Sequence, residues 1–443
     1  HWDANEATPD YDADDDDADE DDSDAGVAGV SLLSGRREPL ARLHKPVIKG
    51  VAGAQSTGAR LASFNCPAFT SYGKSQTYNA PLGVRDAFRY CTALNRLLAD
   101  PRHAARLGDS TVVFWTATPN ADDACAALGW MFDAQAQDDA LRQRLEDMLS
   151  RARRGLPTDL GDPVTPFYIL GLSANDARLI VRFWTTSTAG HVLASLSEAQ
   201  RRLAVAGNDD RGDLVEPAAL SVAQLVAATA RRIKATKVDW GSVDPTARTT
   251  LAKAILSGGY HALRRSLLPR LVERCAREGG VLPERAALIK FCLMEGGNTK
   301  MSAYLDKTNE DPAYVAGRVV AVIEKAQELA IGEVQSGVIK RHLGGVLASP
   351  NRSLVPLLKL ALIAYIPKIE GYRAKFLDDL LGELHAQCPH GWPASLSTEG
   401  SGALLLGYFQ QRAWLRDTHN LPLSAAHIHR TARGLWVRSK GEK

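Results

Sequence analysis

"PFYILGLSANDARLIVRFW", residues 166–184, decides how this chain is read. Two apolar runs flank S-A-N-D, a short connection of turn-forming residues, and together they predict a β-hairpin. The second strand alternates strictly. Ala177, Leu179, Val181 and Phe183 point one way; Arg178, Ile180, Arg182 and Trp184 point the other. A sheet face with two arginines and a Trp suits a sugar-phosphate backbone, and it also suits an ordinary solvated face.

On the C-terminal side of the hairpin the periodicity becomes helical. After Gly190 the apolar spacing predicts helices over 191–206, 219–234, 246–257, 260–277, 284–293, 311–330, 332–347, 352–366, 370–387 and 398–416. On the N-terminal side, "VRDAFRYCTALNRLLAD" (84–100) places Ala87, Phe88, Cys91, Leu94, Leu97 and Leu98 on one helical face. "STVVFW" (110–115) reads as a buried strand, and a polar helix is expected over 122–153. Residues 40–81, rich in Gly, Ser, Thr, Asn and aromatics, predict loops and short strands. The fold class is therefore α+β: a mixed N-terminal part with a β-hairpin, then a long all-α C-terminal bundle. The expected division is an acidic disordered tail at 1–30, a mixed part at 31–190, a helical linker region at 191–300 and a helical bundle at 301–443.

Charge is distributed unevenly. The net charge of the 443 residues is only +2, yet thirteen acidic residues lie between Asp3 and Asp24 and no Lys or Arg precedes Arg36. Outside that segment 53 Lys and Arg face 38 Asp and Glu, a net of +15. A body this basic fits a polyanionic partner. The acidic block reads as a solvated tail or linker, or as an acidic mimic that screens the basic body until nucleic acid displaces it. The six cysteines are scattered, with no C-x-x-C pair, which fits a reducing cytoplasm and argues against a zinc ribbon. The longest apolar run, Leu354 to Ile366, is too short to span a bilayer and contains Lys359, so no membrane partner is expected. No signal peptide is recognised, and the initial His suggests a fragment or a processed product.

"GVAGAQSTGAR" (50–60) approaches the phosphate-binding loop G-x-x-x-x-G-K-[ST], but Ala59 and Arg60 stand where Lys and Ser/Thr are required. The loop also runs into "LASFNCPAF" in place of a helix whose N–H groups would cradle a phosphate. What remains is Gln55, Ser56 and Thr57 beside Lys45, Lys49 and Arg60, followed by Phe64, Asn65, Phe69, Tyr72 and Lys74. Cations interleaved with aromatics and amides can hold phosphates and stack bases; the same composition also occurs in irregular loops whose aromatics belong to a core. No H-E-x-x-H or G-x-S-x-G is present, and His427 and His429 do not share a helical face. No catalytic residue, metal or cofactor is expected.

The ordered set "LARLHKPVIKGVAGAQSTGARLASFNCPAFTSYGKSQTYNAP", "AFRYCTALNRLL", "GDSTVVFW", "FYILGLSANDARLIVRFW", "DPAYVAGRVVAVIEKAQ" and "WPASLSTEGSGALLLGYFQQR" closely resembles the large subunit of the subtype I-C CRISPR Cascade surveillance complex, a Csd-type CRISPR-associated protein, from about Leu32 to Arg416. The resemblance implies a non-catalytic subunit that reads the adjacent motif and helps open the duplex while guide RNA reads the target. Its implied partners are crRNA-bearing Cascade subunits, target double-stranded DNA, the displaced single strand and a separate helicase-nuclease. It also implies that residues 301–443 are similar to the Cascade small subunit, with Met294 or Met301 as possible internal starts. Members carry a substantial N-terminal region ahead of the aligned part, where this chain has only its acidic segment; motif recognition that depends on that region would be impaired or absent.

With the resemblance, Lys45, Lys49, Gln55, Ser56, Thr57, Arg60, Asn65, Tyr72, Lys74, Arg178 and Arg182 become the expected DNA contacts near the adjacent motif. Lys340, Arg341, Arg352, Lys359, Arg373 and Lys375 are expected to track single-stranded DNA, although each also suits a solvated helix face. Two other readings stand beside this one: a helical interaction scaffold without DNA contact, and a phosphate-handling enzyme built on the 53–60 loop.

Overall fold

A computed structural model describes residues 27–107, 110–117, 122–132, 143, 147, 163–234, 237–244, 246–257, 260–294, 301–332, 337–417, 420, 428–430 and 436–438. The acidic segment, most of the helix expected over 122–153, and His427 lie outside these residues. The chain divides into two compact units, one of 1–100 with 172–182, the other of 101–171 with 183–443.

The first unit is built on little regular structure. Strands β1 (Ala28–Val30) and β2 (Arg37–Pro39) pair antiparallel, and helix α1 (Val84–Ala99) buries Ala87, Cys91 and Leu94. Phe88, expected on that face, is 57% exposed because the buried stripe follows 87, 91 and 94 and leaves position 88 on its flank. Leu40, Ile48, Val51, Ala59, Leu172 and Leu179 complete a small core. Thr77 is fully buried and donates its hydroxyl to the Ala41 carbonyl at 2.7 Å.

The expected hairpin forms as β5 (Pro166–Asn175) and β6 (Arg178–Thr188). The turn is tighter than S-A-N-D suggested. Ser173 to Asn175 remain in the strand, and Asp176 takes the left-handed conformation (φ 56°) that a two-residue turn requires. With β3 (Ala104–Leu107) and β4 (Ser110–Thr116) the hairpin makes a four-stranded sheet of order β3-β4-β5-β6. Pairing of β3 with β4 buries the whole of "STVVF", as its β-branched and aromatic composition predicts.

The second unit is mainly helical: α2 (Asp122–Phe132), α3 (Ala189–Leu203), α4 (Val222–Thr229), α5 (Ala247–Ser257), α6 (Tyr260–Glu278), α7 (Pro283–Leu293), α8 (Pro312–Ile331), α9 (Val338–Ala348), α10 (Pro350–Leu360), α11 (Tyr372–Ala386) and α12 (Thr398–Arg416). Three expected helices are markedly shorter. The 332–347 pattern starts only at Val338, after the non-helical Gly337. The 219–234 pattern yields only α4, opened by a Ser221/Gln224 capping box and ended before the strand residues Arg231–Arg232. The 352–366 pattern forms α10 (which contains Pro356) and then loosens into a π turn over Ala361–Tyr365. Near the C-terminus, beyond the last expected helix at 398–416, Ile428–Arg430 pairs antiparallel with Trp436–Arg438.

Helix α7 is buried from Arg285 to Cys292, and its two cations close other helices. Arg285 donates to the carbonyls of Ala228 (2.8 Å) and Ala230 (3.1 Å) at the C-terminal end of α4 and pairs with Glu278 at 2.7 Å. Lys290 donates to the carbonyls of Arg202 (3.1 Å) and Ala204 (2.9 Å) at the end of α3; burial draws its pKa down to about 8. Cations at helix C-termini offset both the orphan carbonyls and the dipole. Arg285→Ala should therefore cost about 3 kcal/mol, because two buried carbonyls and a carboxylate lose their donor. Chemical denaturation should show the midpoint falling accordingly, and a shift worth under half of that would contradict the capping role.

Candidate nucleic-acid interface

Ile48 and Ala59 exchange both backbone hydrogen bonds (2.9 and 2.8 Å), and this pair closes the loop that opened as "GVAGAQSTGAR". Gly58 permits the closure: its φ is 113°, and a Cβ there would lie 2.9 Å from Val47 Cγ2. Gly58 N–H donates to the Gln55 carbonyl at 3.0 Å, which puts Ser56 and Thr57 at an exposed tip with Gln55 beside them. At the base, Asn95 of α1 accepts from the Lys49 N–H and donates to the Val47 carbonyl, both at 2.8 Å. The ammonium groups of Lys45 and Lys49 belong to exposed residues.

The hairpin tip forms the back wall of this loop. Ala54 pairs with Asp176 and Arg60 with Arg178; Arg60 N–H donates to the Ala177 carbonyl and Leu179 N–H to the Arg60 carbonyl, each at 2.9 Å. Arg60, half-buried, keeps its Nε buried with no hydrogen-bond partner among the described residues. Arg178 donates to Asn65 Oδ1 and lies 4.5 Å above the Phe69 ring, and Arg182 Nε donates to Ser173 Oγ at 2.7 Å. Thus Gln55, Ser56, Thr57, Arg60, Asn65, Arg178 and Arg182 come together on one loop-and-hairpin element.

Tyr72 and Lys74 sit on a separate turn. Lys74 N–H donates to the Ser71 carbonyl at 3.0 Å, with positive φ at both Tyr72 (52°) and Gly73 (68°). Asn79 holds both sides of the turn, accepting from Ser71 N–H (2.9 Å) and donating to the Lys74 carbonyl (2.9 Å). A left-handed Tyr costs roughly 1–2 kcal/mol, and here the ring is 98% exposed, so packing does not repay it. Asn79→Ala should raise amide hydrogen exchange over 71–76 about tenfold, the loss of roughly 1–2 kcal/mol of clamp; unchanged protection there would contradict the clamp.

Lys340 and Arg341 on α9, Arg352 and Lys359 on α10, and Lys375 on α11 are exposed, and Arg373 is half-buried. They are spread over three helices of the second unit, in contrast to the single loop-and-hairpin element of the first. The sheet of the second unit carries a cluster the sequence did not disclose. Trp115, Tyr168 and Trp184 stand on adjacent strands with ring centroids 5.5–5.8 Å apart, Trp184 being 51% exposed. Alternation placed Trp184 on its face; the cross-strand register that brings it Tyr168 and Trp115 is not written in any one strand. Asn79 and Asn95 were missed likewise, because an Asn clamp closes only after its loop has folded.

Among the described residues no group of three or more His, Cys, Asp or Glu could hold a metal ion, and no helix is long and apolar enough to cross a membrane. A family model described as CRISPR-associated protein (Cas_Csd1) matches residues 2–416, reaching further toward the N-terminus than the resemblance from Leu32. No curated protein gives a significant match.

Proposed function

This chain belongs to the Cas_Csd1 family of CRISPR-associated proteins, and from that premise we propose that it is the non-catalytic large subunit of a type I-C crRNA-guided surveillance complex in the cytoplasm. In this reading the first unit grips target DNA beside the adjacent motif and helps to open it. The second unit follows the displaced single strand through the cations of α9, α10 and α11, and the assembly recruits a separate helicase-nuclease. The observation that carries the reading is the loop-and-hairpin element of the first unit, whose backbone pairing brings the loop to the hairpin tip, with Gln55, Ser56, Thr57, Asn65 and Arg182 exposed and Arg60 and Arg178 half-buried. Cations there hold phosphates, and the amides face base edges.

The phosphate-handling alternative has less support. After Arg60 the chain pairs with Arg178 of the hairpin, and no helix N-terminus follows the loop. The scaffold alternative draws on the exposed apolar face of α10 and its π turn, Val355, Leu360, Leu362 and Ile363. Purified complex, assembled with and without this chain, separates the readings in a gel-shift assay. A duplex carrying the motif shifts only when the chain is present if the chain contacts DNA; equal shifts favour the scaffold. An internal start at Met294 or Met301 would add a second, shorter product on an anti-C-terminal immunoblot of native lysate, and a single full-length band would dispose of it.

A further inference from the structure

The acidic segment leads directly into the basic unit. Thirteen Asp and Glu lie between residues 3 and 24, and the Val27 carbonyl already accepts the Leu40 N–H of the first unit at 3.1 Å. Residues 27–100 and 172–182 of that unit hold twelve Lys and Arg against four Asp and Glu, a net of +8. Ten of the twelve cations are exposed, and only Arg60 and Arg178 are half-buried. One covalent stretch therefore joins the most acidic part of the chain to a strongly basic surface.

We propose that residues 3–24 are an intramolecular ligand of the first unit, docking as a polyanion on its exposed cations, the lysines Lys45, Lys49 and Lys74 among them, and competing there with nucleic acid. The competition rests on the function proposed above; the docking does not. Reach sets no obstacle: 26 residues span at most about 90 Å when extended, and a compact unit of this size has a radius of gyration of about 12 Å. Tethering at Val27 gives an effective concentration on the order of 1 mM. Single exposed ion pairs contribute about 0–1 kcal/mol, so the docking draws on many of them and weakens as salt shortens the screening length from about 10 Å at 0.1 M. With a segment affinity of about 0.1 mM, that effective concentration lowers apparent DNA affinity about tenfold.

Carbodiimide treatment of the full chain tests the docking, since it joins a carboxylate to an amine only where they touch. At low salt, mass spectrometry should find peptides of residues 3–24 joined to Lys45, Lys49 or Lys74, and these products should vanish at about 0.5 M salt. Products joined only to lysines of the second unit, or none, would overturn the docking. A variant with every Asp and Glu from Asp3 to Asp24 changed to Asn or Gln tests the competition. Its Kd for a short duplex should fall about tenfold at 0.1 M salt and converge with the parent's at high salt; equal Kd values throughout would overturn it. If the crosslinks form and neither protein binds duplex, the docking stands and the nucleic-acid function fails.

Discussion

Gly317→Val is expected to cost the second unit about 4 kcal/mol or more and to unfold much of its helical bundle near physiological temperature. Helices α8 and α12 cross there backbone on backbone. A Cβ on Gly317 would lie 1.9 Å from the Leu404 carbonyl oxygen, and one on Gly407 would lie 2.2 Å from that of Tyr314. Such contacts cannot be relieved by turning a side chain, so the helices must separate. Separation breaks the polar bonds that span the crossing: Tyr314 Oη donating to Gln410 at 2.6 Å, Arg318 Nε to Gln411 at 3.0 Å, and Tyr408 Oη to Glu324 at 2.8 Å. Arg318 is 3% exposed, and burial already lowers its pKa, so losing an acceptor leaves a charge without compensation. Overpacking alone costs about 1–3 kcal/mol, and each orphaned buried group adds a similar amount. Denaturant melts followed by circular dichroism should show the loss. Stability within about 1 kcal/mol of the parent would mean that the helices cross differently.

Lys45→Ala, Lys49→Ala and Lys74→Ala combined are expected to weaken duplex binding about 10²–10³-fold at 0.1 M salt. Each phosphate contact contributes about 0.9 to the slope of log K against log salt, hence roughly eightfold in affinity at that concentration. Three lost contacts should flatten the slope by about 2.7. All three residues are exposed, so the variant should melt like its parent. A weakened Kd with an unchanged slope would place the effect in folding or positioning, away from phosphate contact. Arg60 stands apart from this set because it is partly buried; its replacement would disturb packing as well as charge.

Periodicity made most of the helical architecture legible. α7 and α12 fell within one residue of the expected bounds at each end, because apolar spacing and flanking Pro or Ser fix such helices locally. The hairpin was legible for the same reason, although its turn shrank once Asp176 accepted a left-handed conformation. The first unit was much less legible. Its loops are held by Asn79, Asn95 and a fully buried Thr77, single side chains reaching across the fold to backbone groups that no local pattern identifies. Of the candidate site, sequence supplied the residue types; the grouping of Arg60, Asn65 and Arg178 depends on the pairing of Arg60 with the hairpin, a contact between distant segments. The glycines of "GVAGAQSTGAR" suggested a nucleotide loop, and in the structure Gly58 instead lets the loop close against Val47.

Mapping crosslinks from target DNA to this chain within the assembled complex tests the central claim most directly. DNA gripped by the loop-and-hairpin element should yield modified peptides between Lys45 and Lys74 and around Arg178 to Arg182. Modified peptides confined to other regions, with those segments untouched under conditions in which the complex binds its target, would contradict it.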